Sequence, residues 1–357
     1  MDIEQQVPRR RGRGAASNPA NQFDRLHYKE DPAELDADEL RQVQTTFMED
    51  TSRTVLAKNN SPDIPFTFGL NPYRGCEHGC IYCYARPSHE FLGFSAGLDF
   101  ETKIVVKKNI AALLKKELLK KSWKPQTIAL SGNTDPYQPA ERDFKLTRAC
   151  LEVLAWHRNP VGIVTKNYLV TRDLDILEEL AAYNLVNVSI SITSLKPEIT
   201  GVMEPRTSRP ERRLQAIEEL AKRGIPVGVM VAPVVPGLTD EEMADIIKAA
   251  ADHGALWAHY VMLRLPGAVR ELFVEWLENE FPDRKQRVIN RLTDLRGDSL
   301  TDKRFGVRMR GEGKWADIVS QLHKNTVKRL GLNQPRPPLA THHFRKNGQQ
   351  DLFTALY

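Results

Sequence analysis

Short apolar runs alternate with amphipathic helical stretches between residues 66 and 265, and this alternation constrains the fold more than any other feature. Six runs have the length and composition of strands: Phe66–Leu70, Thr127–Ser131, Val161–Thr165, Val186–Ile192, Val227–Val231 and Ala258–Leu263. Helical periodicity marks the stretches between them: Ile110–Lys121, Lys145–His157, Asp173–Tyr183, Arg209–Arg223 and Asp240–His253. Strands separated by helices of this length form parallel sheets. We therefore predict an α/β fold, a partial (β/α)6 TIM-like barrel.

The regions outside this alternation differ in composition. The first 60 residues lack sustained apolar periodicity and carry a basic run, Arg9–Gly14, and an acidic stretch, Glu30–Glu39. Such a composition buries too little apolar surface to order itself, so we expect a solvated extension there. Helical periodicity returns at Val269–Glu280 and Asp283–Leu295, and we expect these helices to close the open side of the barrel. The predicted segments are a flexible extension at 1–60, the partial barrel at 61–265, a helical C-terminal region at 266–332 and a polar tail at 333–357.

The composition is that of a soluble globular chain. Hydrophobic residues make up 41% of the 357 residues and charged residues 27%, with a net charge of +5. The N-terminus lacks the apolar core of a signal peptide, and the most apolar run, Ile225–Val235, is too short to span a bilayer. We therefore expect a cytoplasmic protein without a membrane partner. The mild positive charge is compatible with nucleic acid as a partner.

Three of the four cysteines, Cys76, Cys80 and Cys83, lie close together with C-x3-C-x2-C spacing. Such a triplet supplies three thiolates. An iron–sulfur cluster with four irons, [4Fe–4S], would keep one iron free for a small molecule if only three thiolates held it. The triplet comes directly after the first predicted strand, where barrels of parallel strands place their chemistry.

Two other interpretations of the cysteines remain open at this point. Together with His78 or His89 they have the ligand set of a Cys3His zinc site, although zinc sites usually join two ligand pairs across a longer loop. A zinc-stabilised nucleic-acid-binding module without catalysis would follow from that reading. Disulfides fit less well, because a cluster of three and the distant Cys150 pair badly and nothing marks the chain as secreted.

The triplet, with an aromatic residue, Tyr82, just before its last cysteine, resembles the radical S-adenosylmethionine (SAM) superfamily. The longer stretch Asn71–Tyr84, followed by Ala85-Arg86-Pro87, resembles the branch that includes the DNA repair enzyme spore photoproduct lyase. The resemblance implies a [4Fe–4S] cluster on the three cysteines and SAM as second cofactor. It also implies a 5′-deoxyadenosyl radical and an external reductant of the flavodoxin or ferredoxin type.

Polar residues at the ends of the next three strands are candidate SAM contacts. After the second strand, Thr134 and Asp135 occupy the position that binds the methionine amino group in the superfamily, although an Asp before proline also caps turns. Lys166 ends the third strand and matches a lysine that pairs with the cofactor carboxylate in the resembled lyase. Strand alternation places Ser189 and Ser191 on one face of the fourth strand, suited to a ribose or to ordered water.

An arginine-rich loop follows the fourth strand. Arg206 is a candidate for a bidentate contact with the cofactor or with a substrate phosphate. We expect Arg212 and Arg213, further along the chain, on a solvated helix face.

The sequence departs from the resembled lyase at the residue that returns hydrogen to the substrate radical. That enzyme uses a cysteine at the end of the second strand, and Gly132 stands there in this chain. The spare cysteine, Cys150, is expected as a buried apolar residue on a helix. We take Tyr84 as a candidate hydrogen relay and Tyr82 as a second catalytic candidate that packs near the cofactor. Radical formation is therefore expected, whereas the repair reaction itself is in doubt.

Near the C-terminus, Gln349–Phe353 resembles the peptide by which bacterial repair and replication proteins bind the DNA sliding clamp. Its two apolar residues, Leu352 and Phe353, would fill a pocket on such a partner. Nucleic acid is thus the first candidate substrate, with RNA, a protein side chain or a metabolite as alternatives.

Overall fold

The structure is a computed structural model and describes residues 10–23, 43–297, 299–301, 304–335 and 337–346. The clamp-like peptide Gln349–Phe353 and the acidic stretch Glu30–Glu39 lie outside these ranges. No helix within them is long and apolar enough to cross a membrane.

The strands and helices follow the predicted order. The strands are β1 (Thr46–Glu49), β2 (Leu56–Lys58), β3 (Phe68–Leu70), β4 (Tyr73–Arg74), β5 (Lys103–Val106), β6 (Ile128–Leu130), β7 (Val161–Thr165), β8 (Val186–Ser191), β9 (Val227–Val234) and β10 (Ala258–Met262). The α-helices span Leu98–Thr102, Ile110–Leu119, Glu141–Phe144, Leu146–His157, Leu174–Ala182, Pro197–Met203, Pro210–Lys222, Met243–Asp252, Val269–Glu280, Pro282–Arg296 and Gly313–Arg329. Every predicted strand and helix is present, with ends that differ by three residues at most.

The main sheet has seven strands in the order β10-β9-β8-β7-β6-β3-β2. The six predicted strands pair in parallel, and β2 adds an antiparallel edge beside β3. Helices separate the parallel strands along the chain, and the strands bury Val, Ile and Leu side chains in one large core, as expected for sheets covered by helices. The sheet does not close on itself. The α/β partial barrel is therefore confirmed.

A second, three-stranded sheet, in the order β1-β5-β4, was not predicted. Its first strand belongs to the stretch for which we expected only a solvated extension. That expectation is also wrong for the basic run, because Arg10 and Arg13 are only 6% and 5% exposed. The segment is held by backbone and charged hydrogen bonds, with Arg13 donating to the carbonyl of Glu101 at 2.8 Å. Hydrogen bonds of this kind do not involve apolar side chains, so the apolar periodicity of the sequence does not predict them.

The C-terminal region lies against the open side of the barrel, as predicted. The backbone N–H of Met262, at the end of the edge strand β10, donates to the carbonyl of Met309 at 3.0 Å. From the same segment, Arg308 donates to Asp63, which follows β2 at the opposite edge of the sheet, and the N–H of Gly306 donates to Asp63 at 2.6 Å. Residues 304–312 therefore bridge the two edges.

Part of the predicted polar tail also packs on the barrel. Within residues 337–346, the N–H of Ala340 donates to the carbonyl of Asn184 at 2.9 Å, and that of Arg345 donates to His157 at 2.8 Å. The Phe344 ring stacks on the His157 ring with centroids 6.2 Å apart. These contacts hold the described part of the tail along the outer helices.

Candidate functional site

The cysteine loop follows β3 at the carboxyl end of the sheet and depends on two glycines. Gly75 and Gly79 both adopt positive φ, at 79° and 66°. A Cβ atom on Gly79 would lie 2.6 Å from a carboxylate oxygen of Glu101, and one on Gly75 would lie 2.9 Å from the carbonyl of Phe100. Glycine is therefore required for this loop to turn so close to its neighbours.

The three thiols of the loop are free and lie within electrostatic range of one another. Cys76 and Cys80 are buried and Cys83 is half-buried. Burial raises the pKa of each thiol, and the negative charge of the neighbouring thiols raises that of Cys76 further. Lys166 acts in the opposite direction on Cys80 and Cys83. Thiols in such a place become thiolates only when a bound cation compensates their charge, which suits ligands of an iron cluster.

A buried ion pair supports the loop from behind. Arg86 pairs with Glu101 at 2.5 Å, and its Nε donates to the carbonyl of Cys80 at 3.0 Å. The same carboxylate accepts the backbone N–H groups of Gly14 and Ala15 at 3.0 and 2.9 Å. A Cβ on Gly14 would lie 1.8 Å from the carbonyl oxygen of Gly79. The N-terminal segment is thus packed directly on the cysteine loop.

A second buried ion pair fixes the aromatic residue before the last cysteine. Arg213 is fully buried and pairs with Glu204, which also accepts hydrogen bonds from the hydroxyls of Tyr82 and Thr193. Another N–H of Arg213 donates to the carbonyl of Ser191 at 3.0 Å. Burial acts to raise the pKa of Glu204, but the charges of Arg213 and Lys166 and the hydrogen bonds from Thr193 and Tyr82 together hold that pKa below its usual range.

The prediction of a solvated Arg213 is therefore wrong, because this arginine links strand β8 to the cysteine loop. The neighbouring Arg212 is exposed, and its guanidinium lies 3.6 Å from the centroid of the Tyr168 ring. That part of the prediction is confirmed.

Asp135 and Thr134, the predicted contacts of the methionine amino group, have partners within the protein. The carboxylate of Asp135 accepts from the hydroxyl of Thr165 at 2.7 Å and from the N–H groups of Lys166 and Tyr137 at 2.8 and 2.9 Å. Burial opposes ionisation, but its hydrogen bonds and a nearby histidine lower the pKa of Asp135 to about 2. Thr134 donates to a backbone carbonyl at 3.0 Å. These contacts make Asp135 a support for the end of β7.

Three predicted SAM contacts, the side chains of Lys166, Ser189 and Ser191, have no hydrogen-bond or ion-pair partner among the described residues. The Lys166 Nζ lies 5.8 Å from the centroid of the Tyr82 ring, and among the described residues no carboxylate pairs with it. The two serine side chains lie on the same face of β8, and across the described ranges neither hydroxyl makes a hydrogen bond. The Lys166 ammonium, which acts on Cys80 and Cys83, and the hydroxyls of the two serines are therefore available to a ligand.

Tyr84 also lies at the carboxyl ends of the strands. Its hydroxyl donates to the carbonyl of Gly132, the residue after β6 where the resembled lyase has its cysteine. The residue is 51% exposed, and its partial burial raises the pKa of its hydroxyl to about 12. The guanidinium of Arg264 lies 5.7 Å from the ring centroid.

Arg206 lies on the outer side of the loop. Its guanidinium pairs with Glu77 at 3.2 Å, and its backbone N–H donates to the carbonyl of His78 at 3.3 Å. Among the residues singled out from the sequence, Arg206 is thus bound to the back of the cysteine loop, whereas Lys166 faces the thiols.

The histidines named for a zinc site are engaged elsewhere. The ring of His78 contacts Asp135 at 3.4 Å and Asn167 at 3.1 Å, one through each nitrogen. His89 is fully buried and packs between the rings of Phe94 and Phe100, with centroids 5.2 and 5.5 Å away. In the part of the chain that the structure describes, no three His, Cys, Asp or Glu side chains, the cysteine triplet included, are placed to bind one metal ion. It is the contacts of His78 and His89 that count against either histidine as a fourth zinc ligand.

A cavity of about 730 Å³ lies on the back of the site, apart from the strand ends. It separates residues 10–16 from the helix Val269–Glu280, and Ile81 of the cysteine loop forms part of its wall. The open side chains Lys166, Ser189 and Ser191 do not line it. Tyr84 does not line it either.

Sequence reasoning missed three residues of the site. Glu101 and Glu204 carry no local motif, since their partners are distant along the chain. Arg264 follows the last barrel strand and satisfies the same placement rule that identified Lys166 after β7. That rule, applied to β10, would have found it.

Comparisons with known proteins agree with this geometry. The model of the radical SAM superfamily matches residues 70–250, which is half of the chain. An uncharacterized protein of Mycobacterium tuberculosis is 40% identical over 241 residues, covering 67% of this chain and 71% of that protein. An uncharacterized protein of Methanocaldococcus jannaschii is 29% identical over 222 residues, covering 62% of this chain and 79% of that protein.

Solved structures of spore photoproduct lyase have the same fold. The complex with dinucleoside spore photoproduct superimposes with a TM-score of 0.57 at 18% sequence identity, covering 80% of this chain and 79% of that one. A variant of that lyase with bound AdoMet and dinucleoside spore photoproduct gives a TM-score of 0.55 at 16% identity. At these identities the similarity extends to the fold.

Proposed function

This chain belongs to the radical SAM superfamily, and we propose that it cleaves SAM reductively at a [4Fe–4S] cluster held by Cys76, Cys80 and Cys83. The observation that supports this most is the grouping of three free thiols with the open ammonium of Lys166 at the carboxyl ends of the strands. When bound, the cluster supplies one electron to SAM, whose S–C5′ bond breaks to give a 5′-deoxyadenosyl radical and methionine.

The residues of the chain bind and orient in this proposal. Lys166 offers its ammonium to the carboxylate of SAM, and Ser189 and Ser191 offer hydroxyls to the ribose. Tyr82, which Glu204 and Thr193 hold in place, packs its ring beside the cofactor. The contacts of Asp135 point to support of the Lys166 backbone rather than to an ammonium ligand.

The fate of the substrate radical separates this enzyme from the lyase that it resembles. Gly132 has no side chain to return a hydrogen atom, and the other spare thiol, Cys150, is fully buried in the core cluster. The hydroxyl of Tyr84, at the Gly132 carbonyl, is the group in position for that role. We therefore propose a radical reaction in which a tyrosine takes the place of the cysteine.

Nucleic acid is the substrate class that we propose first, because of the net positive charge and the clamp-like peptide Gln349–Phe353. Modification of RNA, a protein side chain or a metabolite is the alternative for the same chemistry. The electron donor would be a flavodoxin or ferredoxin in a reducing cytosol, where four free thiols are stable. Clamp docking would be lost on deletion of residues 349–357.

Anaerobic reconstitution tests the proposal. The full chain is loaded with iron and sulfide, reduced with dithionite and mixed with SAM, and 5′-deoxyadenosine is quantified. We expect iron and acid-labile sulfide in equal amounts and steady formation of 5′-deoxyadenosine. The variant with all three triplet cysteines changed to alanine is the control. If wild type and control form equal amounts, or zinc is the metal retained, the proposal is wrong.

A further inference from the structure

Arg264 stands at the carboxyl end of β10, the last strand of the barrel, next to the tyrosine of the site. Its guanidinium lies 5.7 Å from the centroid of the Tyr84 ring, whose hydroxyl reaches Gly132 after β6. Tyr84 therefore connects the end of the edge strand with the end of an inner strand. Arg264 thus lies beside Tyr84, the residue that we propose returns hydrogen to the substrate radical.

Arg264 has no anionic partner among the residues that the structure describes. Its one hydrogen-bond acceptor among the described residues is the Met309 sulfur at 3.4 Å, which is a weak acceptor, and no carboxylate there lies within ion-pair distance. The nearest acid, Asp63, is bound by Arg308, a second arginine that repels Arg264. Most N–H donors of this guanidinium are thus free to bind a ligand.

The fold maintains this unpaired charge at a cost. Arg264 is half-buried, and burial lowers its pKa, with the charge of Arg308 lowering it further. A charge that is partly removed from water without a counter-ion destabilises the folded state. The two other open polar groups near the cysteines, Lys166 and the serines of β8, have SAM as their proposed ligand, and Arg264 makes no contact with them.

We propose that Arg264 binds a phosphodiester of a nucleic-acid substrate and so holds the reacting nucleotide beside Tyr84. A guanidinium with free N–H groups matches two phosphate oxygens in bidentate geometry. The inference depends on the proposed radical chemistry for the place at which the substrate reacts. The anionic character of the substrate is inferred from the unpaired charge of Arg264 itself.

The surroundings of Arg264 favour nucleic acid over an acidic peptide. On the bridging segment 304–312, the ring of Phe305 is 57% exposed and lies 4.4 Å from the guanidinium of Arg308. Arg310, on the same segment, covers the ring of Tyr260 at 4.1 Å. Tyr260 itself is buried, so the exposed ring of Phe305, between arginines, is the one placed to stack on an unpaired base, while the arginines attract its phosphates.

Binding of a fluorescein-labelled oligothymidylate to the anaerobically purified holoenzyme tests the proposal by fluorescence anisotropy. We expect Arg264→Gln to weaken binding at least about tenfold, which corresponds to one lost charge-assisted contact, and to reduce the salt dependence by about one phosphate. Arg264→Lys should recover part of the affinity. A methylphosphonate oligothymidylate, which lacks the phosphate charges, should bind wild type and Arg264→Gln equally.

Arg223→Gln is the matched control, because it removes the same charge outside the bridging segment, at an exposed residue that follows the helix Pro210–Lys222 and pairs with Glu178 at 3.0 Å. We expect it to weaken binding less than about twofold. If Arg264→Gln and Arg223→Gln weaken binding equally, the effect is one of net charge and the proposal is overturned. It is also overturned if Arg264→Gln leaves oligothymidylate binding unchanged but weakens binding of a labelled polyglutamate peptide.

Two further measurements separate this inference from folding and from the proposed function. Because Arg264→Gln removes an unpaired charge, its melting temperature should equal or exceed that of wild type, and a clear decrease would contradict an open role for Arg264. Formation of 5′-deoxyadenosine without substrate is measured separately, in wild type. Absence of this product from wild type would overturn the proposed function. The anisotropy measurement would still show whether Arg264 binds the phosphates of the oligonucleotide.

Discussion

The charged residues around the cysteine loop fall into two regions that differ in how they are paired. Behind the loop, Glu101 and Glu204 are buried, and each is bound by an arginine and by further hydrogen bonds. At the carboxyl ends of the strands, Lys166 and Arg264 have no carboxylate partner among the described residues. We call the first region the frame, defined by Glu101, Glu204 and their arginines, and the second the mouth, defined by Lys166 and Arg264.

This difference in pairing distinguishes the residues that stabilise the fold from the residues that bind ligands. Removal of one partner from a buried ion pair leaves the other charge buried and unpaired, which is strongly destabilising. Removal of an open charge breaks no contact in the free protein and can even stabilise it. Variants of the frame should therefore alter folding, and variants of the mouth should alter binding.

Glu204→Gln should give the largest loss of stability, because it leaves Arg213 charged and fully buried. We expect a decrease of about 3–5 kcal/mol in the free energy of unfolding, measured by urea denaturation. Glu198→Gln, an exposed position in the helix Pro197–Met203, serves as control and should change it by less than about 0.5 kcal/mol. If Glu204→Gln lowers the free energy of unfolding no more than Glu198→Gln does, Glu204 does not belong to the frame.

His89, packed behind the loop, should make stability depend on pH. Burial lowers its pKa to about 4, although Asp99 raises it somewhat, so the folded protein holds the ring neutral where the unfolded chain protonates it. Stability is then complete above about pH 6.5 and is lost as the pH falls towards 4, by about 3 kcal/mol. Denaturation at several pH values should show a smaller loss in His89→Leu, with the remainder from His323, whose pKa is also lowered to about 4. An unchanged pH profile would contradict the assignment.

Gly14→Ala tests whether the N-terminal segment belongs to the frame. The new methyl group overlaps the carbonyl of Gly79, so the segment or the cysteine loop must move, at a cost of about 1–3 kcal/mol. Gly201→Ala, on a helix with open space around the new Cβ, should be neutral or stabilising by up to about 1 kcal/mol. Thermal unfolding compares the two, and equal melting temperatures would show that the segment does not pack on the loop.

Ser191→Ala should have the smallest effect and sharpens the definition of the mouth. The hydroxyl has no partner in the described part of the chain, so stability should stay within about 0.5 kcal/mol of wild type. Affinity for SAM should fall by about threefold to tenfold, through loss of one hydrogen bond. Equilibrium dialysis of the reconstituted protein measures it, and a loss of stability without a loss of affinity would place Ser191 in the frame.

The order of strands and helices could be predicted from the sequence because it depends on local periodicity. The cysteine loop and Lys166 could also be found, since their positions follow strand ends. Arg213 could not be placed, because its burial depends on Glu204 and on the Ser191 carbonyl, which only the folded chain brings together. The N-terminal segment was misjudged for the same reason, since the Glu101 carboxylate binds its backbone N–H groups.

Lys166 and Arg264 of the mouth are assigned to different ligands, SAM and a nucleic acid, and titration of the reduced cluster with SAM distinguishes the two residues. Electron paramagnetic resonance would follow SAM binding in wild type, Lys166→Met and Arg264→Gln under anaerobic conditions. We expect Lys166→Met to raise the dissociation constant for SAM at least about tenfold and Arg264→Gln to change it less than about twofold. Equal weakening in both variants, or no change in the spectrum of wild type on addition of SAM, would contradict the account.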